Sequence, residues 1–110
     1  MPTFHLHHSS SVAVSPDVLT SARITLEGSG LFANPVAMVA TPVAHVLPAH
    51  QTGATRGWVR GVFYTVRGRT QEQIRAIVPL LVSVLKDGFG DDTYVSVDIV
   101  ETAPDGWYEG

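Results

Sequence analysis

Twice within 110 residues the hydrophobic period of this chain changes from two to about 3.6 and back, and that alternation narrows the available folds more than any other feature. Residues 2 to 7 alternate, with Pro2, Phe4 and Leu6 on one side and Thr3, His5 and His7 on the other, which predicts a first strand. Ser15-Pro16-Asp17 then supplies an N-cap, an N1 proline and a first-turn acid ahead of Val18, Leu19, Ala22 and Leu26, the start of a first helix. Gly28 and Gly30 mark where it ends or weakens on the way to Phe32. Val36 to Leu47 is almost wholly apolar and β-branched, and Pro35 and Pro42 confine this second strand to an edge or an interrupted position.

The second half repeats the order. Pro48 to Gly57 reads as a loop, and Trp58 to Val66 is a third strand rich in Val, Phe, Tyr and Thr. Thr70 opens a capping box with Gln73, followed by Ile74, Ile77, Val78, Leu81, Val82 and Leu85 at helical spacing. Pro79 is expected to kink this second helix, and Gly88 to serve as its C′ residue. Tyr94 to Glu101 alternates again as a fourth strand, and a tail from Pro104 to Gly110 carries Trp107 and Tyr108. The fold class expected is therefore α+β: two β-α-β units forming a four-stranded sheet with both helices on one face, a single domain over residues 1–110.

Such a sheet leaves its other face bare. Hydrophobic content of 45% with only 15% charged residues, against a usual quarter or so, agrees with an oligomer that buries that face. There is no cysteine, which excludes a disulfide framework and thiolate metal sites and fits the cytoplasm. No apolar run approaches the roughly 18 residues of a membrane span, and the first fourteen residues do not read as a secretory signal. A net charge of −3 argues against generic nucleic-acid binding.

Charge is unevenly placed. Between Glu27 and Glu72 there is no acid, while Arg56, Arg60, Arg67, Arg69, His45 and His50 all fall there, a cationic segment suited to a small anion. His5 and His7 sit two apart on one strand face and read as polar strand surface, no third metal ligand being implied by spacing. The other chemical feature is Met1-Pro2: removal of Met1 would leave Pro2 with a free secondary amine, a group no internal residue supplies.

Met-Pro start, duplicated β-α-β and the run Val66-Arg67-Gly68-Arg69-Thr70-Gln71-Glu72-Gln73 together resemble the tautomerase superfamily. The R-x-R-[ST]-x-E-Q pattern, and the tail Asp105-Gly106-Trp107-Tyr108-Glu109-Gly110, are similar to the malonate semialdehyde decarboxylase branch; length and order also suit 5-carboxymethyl-2-hydroxymuconate isomerase. The resemblance implies a homotrimer that uses no cofactor, with the amino-terminal proline as base or acid on a small carboxylate substrate. It assigns Pro2 as the catalytic residue, Arg67 and Arg69 as substrate-binding, and Trp107 as the aromatic wall. His45 and His50, in the acid-free segment, are candidates for substrate contact or for the second proton donor, and Tyr64 competes with them.

Arginine suits a carboxylate because its planar fork donates two parallel hydrogen bonds and stays charged. Cations and apolar surroundings from Phe4 or Trp107 would lower the pKa of the Pro2 amine by disfavouring its charged form. Isomerisation of oxo or enol carboxylates is the leading expectation. Decarboxylation or dehalogenation is the alternative, disfavoured because the second-strand stretch lacks an Asp or Glu to activate water. A ferredoxin-like binding module without proline chemistry fits two β-α-β repeats as well.

Overall fold

Each strand-helix-strand run closes into a parallel unit in the computed structural model, which describes residues 2–43 and 57–102. The elements are β1 (Thr3–Ser9), α1 (Pro16–Gly28), β2 (Ala37–Val43), β3 (Gly57–Val66), α2 (Gln71–Phe89) and β4 (Thr93–Thr102). β1 pairs in parallel with β2, and β3 with β4, while β1 and β3 run antiparallel at the centre, giving the order β2-β1-β3-β4. The proline-bearing β2 is an edge strand, as Pro42 requires, since it cannot donate to a second neighbour.

The two periodicities meet in one core. Phe4 and Leu6 of β1 and Val59 and Phe63 of β3 point to one side, where Val18, Ala22 and Leu26 of α1 and Ile77, Leu81 and Leu85 of α2 bury themselves at four-residue spacing. The Phe4 ring lies over Gly61, where an added Cβ would come within 2.5 Å of Cζ. A glycine at that point lets the aromatic ring lie flat against the helix-facing side of β3.

Helix ends follow the sequence signals in part. The Thr70 hydroxyl accepts from the Gln73 N–H at 3.1 Å and the Gln73 side chain accepts from the Thr70 N–H at 2.9 Å, completing the expected box. Ser15 occupies the N-cap of α1 but makes no side-chain capping bond. α2 continues through Pro79 to Phe89. Gly88 is not the C′ residue: it lies inside the last turn, against Val18 of α1, where a Cβ would fall 2.5 Å from a Val18 methyl. Helix-to-helix approach, not chain reversal, demands the glycine there, and Gly90 (φ 93°) ends the helix with its N–H bonded to the Lys86 carbonyl at 2.9 Å.

The sheet face away from the helices is uncovered. Val39, Tyr64, Tyr94 and Val100 keep 41%, 36%, 43% and 40% of their surface in solvent, unusual for large apolar and aromatic groups on a sheet. With Trp58, Arg60, Ser96 and His7, the two tyrosines line a concavity of about 610 Å³ on that face. Among the described residues no helix is long and apolar enough to cross a membrane.

Candidate active site

Parallel and antiparallel pairing together bring the start of β1 and the ends of β3 and β4 to one edge of the sheet. Pro2 is buried there, its carbonyl accepting from the Ala37 N–H at 2.9 Å at the start of β2. One step beyond the Thr3–Tyr64 pair, the antiparallel register sets Pro2 opposite Thr65, and Thr65 in turn pairs with Glu101. Pro2, Thr65 and Glu101 thus form a row across three strands, about 10 Å from first to last Cα. The Arg67 N–H donates to the Thr102 carbonyl at 2.7 Å, extending the β3–β4 ladder before Gly68 and Arg69 lead into α2. Pro2 and the R-x-R junction therefore share one end of the sheet.

The two arginines of that junction are held differently. Arg69 is half-buried; its Nε donates to the Leu31 carbonyl at 2.8 Å, its Nη1 donates to the Val66 carbonyl, and its guanidinium stands 4.9 Å above the Phe32 ring. Phe32 meets Phe63 edge-on with centroids 4.6 Å apart, so Arg69 ties the α1–β2 connection to the end of β3 and to the core beneath. Arg67 is exposed, and its side chain has no hydrogen-bond or ion-pair partner among the described residues.

The expectation of one cationic field spanning the acid-free segment needs correction. Arg60 points to the open sheet face and pairs with Asp98 at 2.7 Å, and it lies seven steps along the chain from Arg67, about 23 Å when extended. β4 supplies the counter-charge by lying beside β3, 38 positions away in sequence. Arg56 and His50 lie outside the described residues, as do the candidates His45 and Trp107. Tyr64 is described: it faces the open side one register step from Pro2, between Thr3 and Val100.

Glu101 is the group that residue-by-residue reading missed. Its Oε2 is buried without a hydrogen-bond partner among the described residues, a costly state for a carboxylate oxygen that calls for a reason. A signal existed: the alternation that turns Val95, Val97 and Ile99 toward the helices turns Glu101 the same way. Glu27, at the base of the same end, is already committed. It accepts from Arg23 Nε at 2.8 Å and from the Val36 N–H at 2.9 Å, and these bonds, the arginine first, hold its carboxyl below the usual range.

His5 and His7 stack with ring centroids 4.2 Å apart on the open face, and His5 Nε2 lies 2.8 Å from the Thr41 hydroxyl. Burial, then the neighbouring His5, then Arg60 lower the His7 pKa, which favours its neutral ring. Among the described residues no group of three or more His, Asp or Glu is placed to hold a metal ion.

No protein-family model and no curated protein matches the sequence. Solved structures do match its fold. A 5-carboxymethyl-2-hydroxymuconate isomerase from Deinococcus radiodurans R1 superposes with a TM-score of 0.80 at 17% identity, over 99% of this chain and 88% of that one. A malonate semialdehyde decarboxylase with decarboxylase and hydratase activities gives 0.66 at 21% identity, over 96% and 89%. A fused 4-OT, solved as a wild-type symmetric trimer, gives 0.74 at 14% identity, over 98% and 93%. This chain shares its fold with these proteins, among them an isomerase and a decarboxylase.

Proposed function

We propose that this chain is a cofactor-independent tautomerase that moves a proton within small 2-oxo or 2-hydroxy-enoic carboxylates, with the Pro2 amine, freed by removal of Met1, as general base. The observation that carries the reading is the burial of Pro2 at the sheet end where β3 runs into Arg67-Gly68-Arg69. Apolar surroundings disfavour the ammonium form and leave a free base near neutral pH. The amine takes a proton from an enol hydroxyl or from the carbon beside the carbonyl and returns it at the other position, while arginine holds the carboxylate and offsets enolate charge. Tyr64, His45 and Trp107 complete the candidate set as polar and aromatic contacts to the substrate.

The open face has a place in this reading. Its exposed valines and tyrosines suit burial against sister subunits in a cytoplasmic homotrimer, which would bring neighbouring chains to each other's strand ends. Ketonisation of phenylenolpyruvate by the mature protein tests the chemistry: Pro2→Ala should remove most of the activity, and full activity in that variant refutes it. Labelling with a 3-halopropiolate should modify the first residue of the mature chain alone. Light scattering should return three times the mass of one chain.

A further inference from the structure

Strand register gathers the ionisable groups of the open sheet face into two adjoining rows. Thr41, His7, Arg60 and Ser96 lie side by side on β2, β1, β3 and β4. Val39, His5, Val62 and Asp98 form the next row, about 7 Å along the strands. The His5 and His7 rings stack across that step with centroids 4.2 Å apart and planes 12° from parallel. Both histidines are half-buried, and the valines and aromatic groups of the uncovered face surround them.

Charge on this face balances only while both rings are neutral. Arg60 and Asp98 cancel each other at 2.7 Å, and Asp98 is the one acid that the described strands place on this side. β2 contributes the uncharged Thr41 hydroxyl, 2.8 Å from His5 Nε2, while Tyr64 and Tyr94 bring no positive charge. α1 and α2 pack on the opposite side of the sheet. A proton on either ring therefore adds a cation to a face whose acid is already engaged, and the first proton discourages a second on a ring 4.2 Å away. Burial first, then His5 and Arg60, already oppose the charged form of His7 in the single chain.

With neutral rings, the described part of this face has no net charge and an apolar surround, which suits a second copy of the same chain better than a charged partner. Contact between copies would take more water from the rings and bring like charges of sister chains together, so assembly favours neutral histidines. Separate chains then hold more protons than the assembly, and acid draws the equilibrium toward them. Resting on the homotrimer of the tautomerase reading, we propose that the stacked His5–His7 pair is a pH switch for that assembly, holding the chains together while both rings are neutral and releasing them when either takes a proton. One proton per chain is three per trimer, so the dissociation constant rises by up to about a thousandfold per pH unit. The chain concentration at half-assembly follows its square root, up to about thirtyfold.

Sedimentation velocity on the mature protein, over a range of chain concentrations at about pH 7.5 and about pH 5, reads this without substrate. The half-assembly concentration should rise about tenfold or more in acid while circular dichroism keeps its helical signal. In the double variant His5→Gln, His7→Gln the two values should agree to within about threefold. Asp98→Asn, at a side chain 56% exposed, strips Arg60 of its counter-charge and should weaken assembly already at about pH 7.5.

Equal half-assembly concentrations at the two pH values overturn the proposal, as does a single-chain mass at both. Loss of the helical signal in acid, a double variant that still dissociates there, or an Asp98→Asn variant that assembles like the unmodified protein does the same. Failure of the chemistry is separable. If Pro2→Ala turns over phenylenolpyruvate at the full rate while the histidine-dependent dissociation persists, the proline mechanism falls and the switch stands.

Discussion

Replacing Arg69 with alanine should be the most damaging single change at the β3–α2 junction. The side chain makes two charge-assisted bonds to backbone carbonyls, each worth about 1.5–3 kcal/mol when made to a charged donor. Its place over Phe32 adds about 0.5–1 kcal/mol. Because Arg69 is only half-buried, water can reach part of the vacated space and satisfy a share of the loss, so we expect about 2–4 kcal/mol in total. Against a stability of about 5–15 kcal/mol for a domain, that is a large fraction. Urea unfolding followed by tryptophan fluorescence, at one fixed protein concentration because oligomers gain stability by mass action, should show a lower midpoint with an unchanged slope. The neighbouring Arg67→Ala, at a side chain that is exposed and without a partner among the described residues, should stay within about 0.5 kcal/mol of the unmodified protein. Arg69→Lys keeps the charge but not the fork and should recover less than half of the deficit. Equal small effects from Arg67→Ala and Arg69→Ala would refute the clasp.

Gly61→Ala places a methyl 2.5 Å from the end of a fully buried Phe4 ring and should cost about 1–3 kcal/mol by overpacking, measured by the same unfolding assay. Thr70→Ala removes the hydroxyl that accepts from the Gln73 N–H and should destabilise by about 1 kcal/mol; Thr70→Ser should restore most of it. His7 titrates below its ordinary value of 6.5 in the folded chain, so between the two values the unfolded chain holds more protons and stability rises with pH. The unmodified protein should therefore lose stability as pH falls through and below 6.5, and His7→Gln should flatten that dependence in urea titrations repeated across the range. An unchanged pH profile in His7→Gln would assign the effect elsewhere.

Local chemistry determined the elements before any packing was considered. A two-residue period can bury one face only as a strand, and apolar groups three and four apart can share a face only as a helix, so both strand-helix-strand runs, the Thr70–Gln73 box and the inward row of Pro2, Phe4 and Leu6 were legible from the chain alone. That Pro2 and the R-x-R junction lie near each other was an expectation of the family resemblance alone; the strand order and register that bring them to one end of the sheet come from the tertiary structure. Tertiary structure decided what each charged group does there. Arg60 is neutralised by Asp98 and Arg69 is engaged by Leu31, partners that lie 38 residues away in each case. Such pairings depend on which strands become neighbours and in what register, information that no window of sequence contains. Gly88 and Glu101 teach the same lesson from opposite sides: one glycine serves a helix contact where a chain reversal was expected, and one carboxylate in an alternating strand is carried into a buried position by the apolar residues it alternates with. Backbone periodicity is a local property of the chain, whereas the partners that quench or release a charge are set by the packing of distant segments.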